Sequence, residues 1–409
     1  MEHPYPGDFL NLPPLVVLGV AEAEGAYEVS ATLPPSPPPA CPTCGGITVG
    51  NGTRLIRHHD LPMHGRTVVI LTKRRRFLCR SCGARPAEPL PAVLHPVRRM
   101  TERLAARIAE LAPSRTFTSI AADFGLEEDT VRRVWEERKP VRSGRTTAPR
   151  RIGMDETKLS GGLRGVIVDL EARRLVELLP DRKNRTFEEA FSRMDGLDDV
   201  EAVCMDMCSA YRGLARRLMP AATIVADRWH VQKGANLALE AVRKSVRAEL
   251  SASERKLLMH ERFVLLARKS RLDEKRLLRL DEWTTRFPAL GRAHLAKEAF
   301  FDLWELGSAD EARDGFAAWK TELPSDLKTP FAPLLTSCRR WDAEIFAWFD
   351  CRISNGGTEG MNNLVKAINR SGFGYSFDTL RDKVLALRGT PSPTSPSREG
   401  WANSPSITR

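Results

Sequence analysis

Two pairs of cysteines, Cys41/Cys44 and Cys79/Cys82, share the spacing C-x-x-C, and four further cysteines (204, 208, 338 and 351) do not. Two residues between thiols let both sulfurs of one turn face a single ion, and two such turns complete a tetrahedral zinc site. Gly45 and Gly83 follow the second cysteine of each pair, which suits a tight knuckle. Disulfides are disfavoured because the chain starts without an export signal, and a redox pair needs a βαβ setting that is missing here. The reading is structural Zn²⁺ on Cys41, Cys44, Cys79 and Cys82; His58 and His59 can ligate, but four thiolates already fill the shell.

Three acids stand out by position. Asp155 lies inside a β-rich run, Asp206 follows the apolar run Val200 to Met205, and Glu359 lies in the first turn of a helix entered through Ser354-Asn355-Gly356-Gly357. Carboxylate oxygens are what Mg²⁺ prefers, and two ions held by such groups can clamp both oxygens of an in-line phosphoryl displacement. With 52 acidic residues to draw on, many other triplets exist, and Asp at a strand end is commonly a turn former.

The elements that must position these groups follow from pattern. Leu15 to Val20 reads as a buried strand, and residues 1–40 form an N-terminal segment that closes on the proline-rich connector Pro34 to Pro39. A zinc-binding module covers 41–90, with strands at Thr67 to Leu71 and Arg76 to Leu78. Its basic run Lys73, Arg74, Arg75 and Arg76 either touches phosphates or forms a solvated edge. Over 98–138 Leu104, Ile108 and Leu111 recur at helical spacing, and Gly125 separates two short amphipathic helices, the second from Glu128 to Arg138. This is a helix-turn-helix signature, with Ile120, Ala121, Leu126, Val131 and Val134 inside and Thr130, Arg132, Arg133 and Glu136 left for a DNA groove; a plain three-helix bundle has the same apolar pattern.

A basic linker spans 139–150. Three short strands then read as an antiparallel meander (from Ile152, Gly165 and Leu175), and strands ending in Asp206 and Asp227 alternate with helices, so that half is parallel. Residues 231–345 are charged and strand-poor, a helical insertion whose Trp283, Trp304, Trp319, Trp341 and Trp348 are core anchors. On the helix Thr358 to Asn369, Met361, Leu364, Val365 and Ile368 make the apolar stripe, and Glu359, Asn363, Lys366 and Arg370 share the other face. Residues 389–409 are a Pro/Ser-rich tail with no reason to fold.

The formal charge of +11, densest between Arg54 and Arg151, attracts polyanions, of which nucleic acid is the commonest. No apolar run approaches the roughly 20 residues needed to span a bilayer, so no membrane partner is expected. A zinc-ribbon RNA binder is disfavoured because no aromatic-rich β-surface accompanies the basic run.

The order of Cys pairs, helix-turn-helix and Asp…Asp…Glu resembles the ISL3 family of insertion-sequence transposases, over about 10 to 388. Its most specific segments are Gly153-Met154-Asp155-Glu156, Met205-Asp206-Met207-Cys208-Ser209-Ala210-Tyr211, Ile224-Val225-Ala226-Asp227-Arg228-Trp229-His230-Val231 and Ser354-Asn355-Gly356-Gly357-Thr358-Glu359-Gly360-Met361-Asn362. The resemblance implies a mixed α/β, ribonuclease H-like catalytic core with a helical insertion over 151–388, preceded by the zinc-ribbon-like and helix-turn-helix modules. It places a catalytic, metal-binding triad on Asp155, Asp206 and Glu359 around Mg²⁺ or Mn²⁺; Asp155 rather than Glu156 is selected. Asp227 and His230 match an accessory D-x-x-H signature, and Lys366 and Arg370 become DNA contacts. The implied partner is DNA, both terminal inverted repeats and target, with a homo-oligomer pairing two ends in a bacterial cytoplasm, on the nucleoid when bound. The same modules fit a catalytically inactive relative acting as a DNA-binding regulator.

Overall fold

The computed structural model describes residues 10–23, 25–141 and 144–389, which fall in two compact units, 1–141 and 142–409. The expected tail, apart from Gly389, lies outside the described residues, as do residues 1–9 of the N-terminal segment and Arg142-Ser143 of the linker.

In the first unit, strands β1 (Val16–Ala23), β2 (Ala26–Thr32), β3 (Thr48–Met63) and β4 (Arg66–Cys79) form one sheet in the order β1-β2-β4-β3. β3 and β4 are a long hairpin turning at His64-Gly65, and β2 runs parallel to β4. The proline-rich stretch is therefore the first part of the connection between two parallel strands, a connection that also contains β3. The described part of the segment before it supplies β1 and β2 to the same sheet as β3 and β4. Val29, Val68, Ile70 and Leu94 make the floor beneath. β1 is a strand, as expected, but not a buried one: it lies at the sheet edge, and Val16 and Leu18 are 52% and 69% exposed.

Three helices follow, α1 (Glu102–Leu111), α2 (Phe117–Phe124) and α3 (Glu128–Arg138). Thr101 caps α1 by accepting from the Leu104 amide, and its hydroxyl donates to Asp60 on β3 at 2.7 Å. Asp60, 1% exposed, also takes the Arg103 guanidinium, so one buried carboxylate fastens the helices to the sheet. α2 ends on Gly125 at φ 62°, and α3 buries Val131, Val134 and Trp135. Leu126 is only half-buried.

The second unit opens with β5 (Thr146–Thr147), later paired to β9 (Met194–Asp195). Its main sheet holds β6 (Arg151–Leu159), β7 (Gly162–Asp169), β8 (Arg174–Leu178), β10 (Ala202–Met205) and β11 (Thr223–Ala226), in the order β11-β10-β6-β7-β8. β6, β7 and β8 are antiparallel, whereas β10 is parallel to both β6 and β11, as the pattern required. One face packs on α4 (Asn184–Phe191) and α5 (Ser209–Leu218) through Ile152, Met154, Phe187, Met205 and Leu214. Met361, Val365, Leu380 and Val384 of α15 (Gly356–Ser371) and α16 (Phe377–Arg388) pack on Val166, Val168 and Leu175 of the other face. This is a ribonuclease H-like α/β core.

Between β11 and α15 run α6 (Arg228–Ala248), α7 (Ala252–His260), α8 (Arg262–Leu266), α9 (Glu274–Arg286), α10 (Pro288–Asp302), α11 (Ala309–Glu322), α12 (Lys328–Arg340), α13 (Asp342–Phe346) and α14 (Trp348–Cys351). The helical stretch thus begins directly after Asp227 and extends past residue 345, wider than the expected 231–345. Trp283, Trp304, Trp319, Trp341 and Trp348 are each under 9% exposed, with Trp304 stacked on Phe349, so these five are core anchors. Among the described residues no helix is long and apolar enough to cross a membrane.

Candidate active site and metal centres

The zinc-type site is built by two matching turns. The Gly45 amide donates to the Cys41 carbonyl and the Gly83 amide to the Cys79 carbonyl, with φ 72° and 73° at the two glycines. These turns bring all four sulfurs within 4.8 Å of one another, with Cys41–Cys82 and Cys44–Cys79 each at 3.6 Å. Sulfurs about 2.3 Å from a tetrahedral zinc lie about 3.8 Å apart, so the set fits the ion. The Thr43 amide chiefly, helped by Cys82 and Cys44, lowers the Cys41 thiol to about 6, which favours the thiolate that binds metal. His58 is elsewhere engaged, its Nε2 3.1 Å from the Thr72 hydroxyl.

The neighbouring basic run divides in two. Arg75 pairs with the 3%-exposed Glu88, because a carboxylate that deeply buried needs a counter-charge, and Arg74 donates to the backbone carbonyl of Glu88. Lys73 and Arg76 remain exposed. On α3, Arg132 is held by Glu128 and lies over the Phe117 ring, Arg133 is exposed, and Thr130 is half-buried.

In the second unit, the alternation of β6 sends Asp155 and Glu156 to opposite faces. Glu156 accepts from the Tyr211 hydroxyl at 2.8 Å and pairs with Arg182, on the α4/α5 side. Asp155 faces α15. Gly153, two residues earlier, permits that packing: a Cβ there would sit 2.4 Å from the Thr358 hydroxyl. Met205 pairs with Met154 across the sheet, so Asp206, just past β10, emerges beside Asp155. Asp227 follows β11, which pairs with β10 in the same register, and precedes α6, whose first turn carries His230.

Asp206, Asp227 and His230 form one cluster with ligand atoms within 4.8 Å. His230 Nδ1 lies 2.6 Å from Asp206 and 3.1 Å from Asp227. Burial lowers the imidazole's affinity for a proton, but the hydrogen bonds and charges of the two carboxylates outweigh it and raise His230 to about 9. Burial first, then the charges of Asp206 and Asp227, raise Asp155 to about 6 against the pull of the Glu156 amide and His230. Crowded carboxylates that resist ionising together are the donor set a hard divalent cation suits.

Glu359 is exposed and outside the 4.8 Å cluster, and its carboxylate makes no hydrogen bond or ion pair among the described residues. Its helix is nevertheless docked on the Asp155 strand from both sides of it. Four residues earlier, Asn355 Nδ2 donates to the Met154 carbonyl at 3.2 Å and its backbone amide donates to Asp227 at 3.3 Å. Three residues later, Asn362 Nδ2 donates to Asp155 at 2.8 Å. The face turned to Asp155 therefore carries Asn355, Glu359 and Asn362, with Lys366 a turn beyond; exposed Asn363 is not on it. Arg370 is exposed farther along the helix. Sequence reasoning missed Asn355, Asn362 and the 55%-exposed Trp229, whose ring meets His230 edge-on at 4.7 Å. The i−4 and i+3 spacing about Glu359 was the available signal for the two asparagines.

A ribonuclease H-like sheet with acids at adjoining strand ends, behind a zinc ribbon and a helix-turn-helix, defines the class of DNA transposases. The sequence matches the ISL3 transposase domain over residues 152–384, the zinc-finger of transposase IS204/IS1001/IS1096/IS1165 over 37–82, and the helix-turn-helix domain of transposase family ISL3 over 88–137. The chain belongs to the ISL3 transposase family, and its function is that of an insertion-sequence transposase with a DNA-binding helix-turn-helix. It is 28% identical over 348 residues to the transposase for insertion sequence element IS1001 of Bordetella parapertussis, covering 82% of this chain and 85% of that protein.

Proposed function

We propose that the second unit cuts and joins DNA strands at the ends of its own element, with Asp155, Asp206 and Glu359 holding Mg²⁺ or Mn²⁺. The observation that carries this reading is the meeting of Asp155, Asp206, Asp227 and His230 at adjoining strands, with Glu359's helix docked against Asp155 by Asn355 and Asn362. When bound, a pair of such cations supplies the Lewis acidity that stabilises charge developing on the phosphoryl oxygens. Asp155 and Asp206 present carboxylate oxygens from neighbouring strands, and Glu359 adds a third from the helix. His230 has one proton on Nδ1 to share between Asp206 and Asp227, so it fixes the orientation of both and offsets their repulsion. Asn355 and Asn362 are positioning residues that act through Asp155 and the helix.

Lys73, Arg76, Thr130 and Arg133 of the first unit and Lys366 and Arg370 of the second are the proposed DNA contacts, since Arg74, Arg75 and Arg132 are engaged within the protein. The first unit would read the terminal inverted repeats. Pairing two ends calls for a dimer or larger assembly, at work on the nucleoid in the cytoplasm.

The test is Asp206→Asn. Cleavage of a terminal-repeat duplex in Mg²⁺ should fall by more than the roughly 100-fold that loss of an outer-shell partner typically costs. Duplex binding measured by anisotropy should stay within about twofold, because the phosphate-binding cations are untouched. Cleavage at the unaltered rate overturns the site, and a wild-type chain that binds but never nicks favours the regulator.

A further inference from the structure

The second unit contains a cavity of about 830 Å³ away from the acid cluster, whose wall carries Arg151, Arg173, Arg352 and Arg388 and, among the described residues, one acid, Glu171. Arg151 is balanced, lying 3.4 Å from Glu171. Arg352 has no carboxylate partner among the described residues: its guanidinium donates to the Phe349 and Gly307 carbonyls and rests 4.5 Å from the Trp348 ring centre. Arg173 and Arg388 are exposed and make no side-chain hydrogen bond or ion pair among the described residues. Arg173 and Arg352 also hold left-handed backbone, φ 52° and 50°, where glycine is the easier residue. The floor is apolar, made by Leu170, Ile353 and Leu364.

The cavity lies behind the helix that carries Glu359. Asn355, Thr358 and Asn362 turn toward β6, whereas Gly356, Gly360 and Leu364, spaced four apart, form the cavity wall. An unbalanced set of guanidinium groups over an apolar floor, in a volume within the roughly 300–1,000 Å³ of ordinary ligand pockets, suits a phosphodiester and the sugar or base attached to it. We infer that this cavity is a second DNA site of the catalytic unit, gripping a strand phosphate on the far side of α15 from the acids. The inference rests on the reading that this unit acts on DNA, and not on which acids hold the cation.

Gly360 gives a direct test, because a Cβ there meets nothing within 4 Å. In the full-length protein, Gly360→Glu sets a carboxylate among the arginines and replaces a poor helix former. Its affinity for a terminal-repeat duplex should drop about tenfold at roughly 0.1 M salt, and the slope of log K against log salt should shrink by about 1 for each phosphate no longer neutralised. Arg173→Ala combined with Arg388→Ala, both on the surface, should do the same without touching the helix. A photoreactive benzoylphenylalanine at position 360 should crosslink to the DNA, in the wild-type background and in Asp206→Asn alike. An unchanged slope in both variants, or crosslinks to a second protein copy alone, overturns the site. Failure of the catalytic reading is recognised separately, by cleavage that survives Asp206→Asn while the DNA crosslink persists.

Discussion

Asn362 gives its amide hydrogen to Asp155, while its own carbonyl oxygen is buried with no partner among the described residues. An unmet buried acceptor costs about 1–3 kcal/mol, so this side chain is held against stability for what it does to its neighbour. Replacing it with the similarly shaped leucine should keep or raise the melting temperature while removing the donor that orients Asp155. The expected result for Asn362→Leu is a Mn²⁺ titration midpoint raised about 10–100-fold, read by calorimetry or by the cation's electron paramagnetic resonance. A lowered melting temperature with an unmoved titration would make Asn362 a packing residue only. Its spacing from Glu359 was the one signal in the sequence, and that signal is weak, because a polar residue on an amphipathic helix reads as solvent-facing until the strand beside it is known. Asp155 and Asp206 stood out by position, one inside a β-rich run and one closing an apolar run, whereas Asp227 entered the candidate site only with the D-x-x-H resemblance.

Among the elements, the helix-turn-helix depends on one backbone position. Gly125 adopts φ 62°, and a Cβ there would lie 2.9 Å from the Thr67 methyl on β4. Gly125→Ala meets the left-handed penalty of about 1–2 kcal/mol together with that clash. Denaturant unfolding should show the first unit losing about 1–3 kcal/mol with the second unit's transition unmoved. The ends of α3 were readable because Gly125 and the apolar spacing mark them locally. The pairing of β2 with β4 and the fastening of α1 by Asp60 were not, since both join residues far apart in the chain through a single partner choice. Glu88 similarly claims Arg75 out of a run of four basic residues that looks uniform in sequence.

At the scale of the whole chain, each unit carries a buried histidine held neutral. Burial, then the charges of Arg74 and Arg99, lower His58 to about 4. Burial, then the charges of Lys297 and Lys269 against the opposing pull of Glu298, lower His294 to about 4 as well. Below its ordinary value of 6.5 the unfolded chain takes up a proton at each that the folded chain refuses. The stability they contribute is therefore whole above pH 6.5 and drains away as pH falls toward 4, by about 3 kcal/mol per histidine at most. Scanning calorimetry from about pH 7 to about pH 4.5 should show both transitions falling, and His294→Phe should flatten the second alone.

The parallel pairing of β2 with β4 also governs how the N-terminal unit can be cut. A fragment trimmed to begin at Pro37, where the zinc-finger match starts, would lose two strands and leave one side of β4 with bare amides and carbonyls. Such an edge recruits whatever strand is at hand, usually another copy of itself. The smallest piece that stays single in solution must keep everything from Leu10 onward, whose side chain already lies in the core beneath that sheet.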